Sequence, residues 1–312
     1  MAFRKKEGAK KAPPPLINIA NAAPAAAPVM AAQNAPVITL QNTPDVANDI
    51  TVMVTPAKKP YVMTASATHI GTREYQQDAA YVCETLWEPG LAFAILCDGM
   101  GGTAEGGRAA AETVAFMANA IATRDTDAAI PAFLEQMARA ANELILEENY
   151  RTRQDSGTTL LSVIMDGADL YWLNVGDSRI YIVRDSEIVQ VTTDHNFALE
   201  LKERVERGQI TQAEADTDPE KEFLISYIGA PVLERVEVNQ APFKMRFGDI
   251  VLLSSDGLTK SLCPDEILEI IEKNSGNIDE AARVLPLCAL DESPAALDNT
   301  TVVLMQYLGD TL

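Results

Sequence analysis

The chain has 312 residues, 47% of them hydrophobic, with a formal net charge of -20 and an isoelectric point near 4.5. That charge speaks against nucleic acid as a partner, because phosphate backbones need basic patches, and it suits a protein that gathers divalent cations. Only two histidines, His69 and His195, and four scattered cysteines without a C-x-x-C spacing leave a zinc site or a Ser-His-Asp triad poorly supported.

Residues 1–60 are rich in Ala, Pro and Asn and carry seven Lys/Arg against three Asp/Glu, so the remainder holds the whole acidic excess. Proline every few residues prevents a long helix, and Phe3 is the only aromatic in this part. This part reads as a disordered or extended tail. Arg4-Lys5-Lys6 has no leucine-rich core after it, so secretion is not expected. The alternation Ile50–Val54 would suit an added edge strand. No apolar run approaches the ~18 residues of a membrane span. Cys83, Cys97, Cys263 and Cys288 read as reduced core residues of a cytoplasmic protein.

From Tyr61 the texture changes. Thr64–His69 and Ala79–Glu84 read as strands around a loop, and Leu91–Cys97 as a buried strand. Two long amphipathic helices follow. Ala110, Val114, Met117 and Ile121 recur at helical spacing in the first, and Ile130, Leu134, Met137 and Ile145 in the second. Pro131 falls in the first turn of the second helix, where proline is tolerated. Strands return at Thr159–Met165, Asp169–Val175, Arg179–Arg184 and Glu187–Val191, with Asp166-Gly167-Ala168 and Gly176-Asp177-Ser178 as hairpin turns. Phe197–Arg207 is helical, and the polar stretch to Glu222 has little to bury. Strands are expected at Glu234–Pro242, Asp249–Ser254 and Thr300–Tyr307, and helices at Asp265–Lys273 and Asp279–Leu290. Strands in runs, with helices between the runs, predict an α+β layered sandwich.

The chemistry sits at strand ends. Asp78 starts a strand; Asp98 and Asp256 end strands on Asp-Gly; Asp298 precedes the last strand. A strand fixes a carboxylate, and glycine lets a ligand approach the backbone closely. A lone strand-end aspartate is more often a turn former. Four of them suit an all-oxygen site for Mg²⁺ or Mn²⁺. Arg73 would be the cation in this acidic mouth, with a planar fork able to hold two phosphate oxygens.

Six blocks carry a resemblance. They are Gly71-x-Arg73-x-x-Gln76-Gln77-Asp78, Asp98-Gly99-Met100-Gly101-Gly102, Ser156-Gly157-Thr158-Thr159, Asn174-Val175-Gly176-Asp177-Ser178-Arg179, Ser255-Asp256-Gly257-Leu258-Thr259 and Asp298-Asn299-x-Thr301. In this order the chain resembles the metal-dependent Ser/Thr protein phosphatases of type 2C (PPM), in their bacterial form, over about residues 61–308. The resemblance implies a four-layer α-β-β-α sandwich of two antiparallel sheets flanked by helices. It also implies two ions, Mn²⁺ or Mg²⁺. Asp98 would bridge them, Asp256 and Asp298 would hold the first, and Asp78 with the carbonyl of Gly99 would serve the second. A bridging water with its pKa lowered toward ~7 would attack phosphorus, with no phosphoenzyme. Arg73 would bind the phosphate and stabilise the equatorial oxygens. Phosphorylated proteins are the implied substrates, a Ser/Thr kinase the implied partner, and a monomer is expected.

The pattern departs in places. Met100 stands where animal members carry a histidine, as in bacterial members. Gln76 stands where asparagine is usual. Lys260 stands where many members place an aspartate that helps a third ion, for which Asp177 would be the other ligand. The flap after His195 reads Asp218-Pro219-Glu220-Lys221 rather than a His-Pro-x-Arg-type run. An inactive relative that senses phosphoproteins, or a hydrolase of small phosphoesters, are the alternatives; retention of the four acids and Arg73 favours an active protein phosphatase.

Overall fold

A computed structural model of the chain describes residues 62–83, 91–101, 105–125, 127–274, 276–293 and 298–309. The expected tail and the strand anticipated at Ile50–Val54 lie outside them. The described strands are, in chain order, β1 (Val62–His69), β2 (Asp78–Cys83), β3 (Leu91–Met100), β4 (Gly157–Thr158), β5 (Leu160–Asp166), β6 (Asp169–Val175), β7 (Arg179–Arg184), β8 (Glu187–Gln190), β9 (Glu237–Val238), β10 (Phe243–Lys244), β11 (Ile250–Ser254) and β12 (Thr300–Tyr307). The helices are α1 (Glu105–Ala122), α2 (Ile130–Thr152), α3 (Phe197–Glu206), α4 (Gln212–Asp216), α5 (Asp256–Thr259), α6 (Pro264–Lys273) and α7 (Ile278–Glu292).

Two antiparallel sheets form, one in the order β1-β12-β11-β7-β8 and one in the order β10-β6-β5-β3-β2. Strand alternation sorts the core into layers, since successive side chains point to opposite faces. On β3, Phe93, Ile95 and Cys97 join the buried stripe of α1 and α2. Ala92, Ala94 and Leu96 turn the other way, into the space between the sheets. On β12, Val302 and Leu304 pack with α6 and α7, while Val303 and Met305 enter the same central space. The result is the expected α-β-β-α sandwich. Leu96 is wholly buried at its centre; truncating such a side chain to alanine costs about 2–5 kcal/mol.

Local differences from the expectations have physical reasons. Gly176-Asp177-Ser178 is no hairpin: β6 pairs with β5 and β7 with β11, so this turn carries the chain from one sheet to the other. The sharp exit uses Gly176 at φ 110°, a conformation that favours glycine. Within 234–242 only Glu237–Val238 pairs as strand. There the Asn239 side chain accepts from Trp172 N at 2.6 Å and donates to the Leu170 carbonyl at 3.2 Å, replacing the ladder. The stretch to Glu222 contains α4, started by a reciprocal cap between Thr211 and Glu214. Of the four cysteines, Cys83 and Cys97 are buried, Cys288 is half-buried, and Cys263 is exposed at the start of α6; none forms a disulfide.

Candidate active site

The register of the sheets brings the acids together. Asp78 and Asp98 lie opposite one another across the β2–β3 ladder. Asp256 follows β11 and Asp298 precedes β12, and these strands are paired. Asp98 lies within β3 and Asp256 opens α5, so neither is the last residue of its strand. Two bonds sew the sheet ends to one another. Ser255 Oγ donates to Asp78 Oδ2 at 2.8 Å, and Gln77 N donates to Asn299 Oδ1 at 2.7 Å.

Each carboxylate has a neutral frame. Asp98 N donates to Thr159 Oγ1 at 2.9 Å, and its carbonyl accepts from Thr158 Oγ1 and from Thr159 N, each at 2.9 Å. Thr159 Oγ1 in turn meets Ser178 Oγ at 2.8 Å. Gln76 accepts from Asp78 N and donates to Thr68 Oγ1, so the glutamine fastens the start of β2 to β1. Both Asp-Gly glycines serve close backbone approach. A Cβ on Gly99 would lie 2.2 Å from the Gly106 carbonyl oxygen, and one on Gly257 would lie 2.2 Å from that of Asn299. The roles of Thr158, Thr159, Ser178 and Ser255 escaped the residue-by-residue reading, although the blocks containing them were conspicuous.

The electrostatics follow from crowding. Burial pushes the Asp78 carboxyl up to about 7; the Thr301 and Ser255 hydroxyls hold it down, and Asp256 and Asp298 push it further. The Thr301 hydroxyl bonds Thr68 at 2.8 Å. Burial also drives Asp98 well above the usual carboxylate range, followed by repulsion from Asp78, Asp256, Asp177 and Asp298. Asp177, on the crossover, is pushed up to about 7 by burial and then by Asp256, with Lys260 easing it.

Two cations border the group. Arg73, more than half exposed, places Nη2 2.6 Å from Asp298 Oδ2. Lys260 bonds Asp256 Oδ2. Among the described residues, no three acidic, cysteine or histidine side chains are already drawn into a finished cage. The donor set nevertheless fits a hard cation. Asp78 and Asp256 each have Oδ2 anchored, to Ser255 and Lys260, while each Oδ1 is buried without a hydrogen-bond partner. Buried unpaired oxygens are costly, and a divalent ion satisfies them.

The family model for protein phosphatase 2C matches residues 66–285. The chain belongs to the protein phosphatase 2C family. It is a metal-dependent Ser/Thr protein phosphatase. It is 31% identical over 232 residues to protein phosphatase PhpP of Streptococcus pneumoniae, a match covering 72% of this chain and 89% of PhpP. It is 32% identical over 210 residues to the Ser/Thr protein phosphatase PstP of Mycobacterium tuberculosis, covering 67% of this chain and 39% of PstP. The crystal structure of the PstP catalytic domain in complex with 2 manganese ions superposes with a TM-score of 0.63 at 28% identity, covering 79% of this chain and 98% of that one. The segment between β8 and β9 contains α3 and α4. No helix among the described residues is long and apolar enough to cross a membrane.

Proposed function

We propose that this phosphatase works with two divalent ions, Mn²⁺ or Mg²⁺, held by Asp98 in common, by Asp256 and Asp298 on one side, and by Asp78 with the Gly99 carbonyl on the other. The observation that supports this most is the half-anchored state of Asp78 and Asp256, each with one fixed oxygen and one buried, unpartnered oxygen. When bound, such ions supply Lewis acidity and bring the pKa of a coordinated water near neutrality.

The chain's own residues would do the rest. Thr158, Thr159 and Ser178 hold the Asp98 backbone so that its carboxylate is preorganised. Arg73 would leave or share Asp298 to hold phosphate oxygens, a planar two-point grip that lysine does not reproduce. Phosphoserine and phosphothreonine in proteins are the substrates, with a Ser/Thr kinase as the partner that writes them. Residues 61–308 would form the catalytic domain, acting as a monomer, and residues 1–60 a tail outside catalysis. Four cysteines without a disulfide support a reducing, cytoplasmic compartment. The experiment is hydrolysis of a phosphothreonine peptide with Mn²⁺ against an EDTA control. Turnover with Mn²⁺ and none with EDTA is expected; equal turnover in both would refute the metal assignment.

A further inference from the structure

Lys260 caps the C-terminus of α5, four residues after Asp256. This spacing puts the two side chains on one helix face. Its ammonium bonds Asp256 Oδ2, and Asp177 and Asp298 also attract it. Asp177 faces this same cation from the sheet-to-sheet crossover, and its charge is repelled by Asp256. The ammonium therefore stands among carboxylates from three different segments, while Asp256 Oδ1 has no hydrogen-bond partner.

We propose that the Lys260 ammonium is a tethered cation that takes the place of a third divalent ion beside Asp177 and pins Asp256 through Oδ2, so that the site accepts two metal ions and no more. This inference rests on the metal-site reading above. A covalently held charge cannot diffuse away, so the Asp177 side stays neutralised at any metal concentration. A divalent ion entering there would meet a fixed like charge, a repulsion that partial burial screens poorly. With Oδ2 committed to Lys260, Asp256 is left with Oδ1 and so acts as a one-oxygen ligand.

The test counts ions. Metal-free full-length protein is titrated with Mn²⁺, and free Mn²⁺ is read from its electron paramagnetic resonance signal. Wild type is expected to saturate at two ions per chain, and Lys260→Asp to take up a third, weaker one. Lys260→Gln keeps an N–H donor but loses the charge, and should lower the Tm of the metal-free protein by ~2–4 °C. A third ion on wild type overturns the inference, as does a Lys260→Asp count that stays at two or an unchanged Tm for Lys260→Gln. Should Lys260→Asp fail to fold, the wild-type count and Lys260→Gln decide. Fewer than two ions on wild type would instead overturn the metal-site reading itself.

Discussion

The acidic end of the sandwich has two halves that handle charge differently. On β2–β3, Asp78 and Asp98 face one another, and the contacts that frame them are neutral: Ser255, Gln76, Thr158 and Thr159. On β11–β12, each carboxylate has a cation of its own, Lys260 for Asp256 and Arg73 for Asp298. The first half is starved of positive charge; the second carries it in its sequence. Burial and mutual repulsion oppose ionisation in the first half, with Asp78 raised to about 7 and Asp98 raised well above the usual carboxylate range. A divalent ion therefore has most to neutralise there. In the second half it competes with side chains already in place.

Asp98→Asn tests this contrast most severely. It should take turnover to background and yet raise the Tm of the metal-free protein, because it deletes the most crowded negative charge. Asp256→Asn should instead lower that Tm, since it takes away the carboxylate that Lys260 bonds. Equal Tm shifts in the two variants would erase the distinction between the halves.

Acid could blur the comparison by weakening the scaffold, and His195 is the point to watch. It is buried, and its Nδ1 accepts from Gly176 N beside the Asp177 crossover. Burial, then Arg235, hold its pKa down to about 4, against a smaller pull from Asp194. The unfolded chain takes this proton first, so the contribution is complete above pH ~6.5 and is lost as pH falls toward 4. At full effect it is worth about 3 kcal/mol. Denaturant melts of wild type and His195→Gln across pH 4–8 should show their stability difference shrinking in acid. A difference constant with pH would refute the assignment.

Arg73→Ala should raise KM for every phosphoester roughly ten- to a hundredfold, the equivalent of ~1.5–3 kcal/mol. An unchanged KM would leave Arg73 as nothing more than the counter-ion of Asp298. Gly257→Ala, whose Cβ would meet the Asn299 carbonyl, should cost ~1–3 kcal/mol in urea melts by forcing α5 away from the start of β12. No loss would show that the second half is not built on that backbone contact.

The layers were legible because alternation and helical spacing are strong here: α1, β6, β7 and β12 fall where the pattern puts them. What stayed hidden depended on long-range pairing. Nothing local distinguishes Gly176-Asp177-Ser178 as a crossover from a hairpin; that is settled by β7 choosing β11. Nor does sequence spacing reveal that Ser255 reaches Asp78, a bond across 177 residues. The acids themselves stood out, since an apolar strand running into Asp-Gly is visible by eye. Of their cations, Arg73 was legible as the cation of the mouth, but its pairing with Asp298 was not. Lys260 could be read as repelling an ion or pairing with Asp177, and the geometry puts its hydrogen bond on Asp256.

The central claim is that the half starved of positive charge and the half that supplies its own share a pair of metal ions through Asp98. Anomalous diffraction at the manganese edge from crystals grown with Mn²⁺ tests it most directly. The account predicts two peaks ~3.5–4 Å apart, with an Asp98 oxygen between them. One peak should have Asp256 and Asp298 as neighbours, the other Asp78 or the Gly99 carbonyl. Manganese bound elsewhere, or at either half without contact to Asp98, would contradict it.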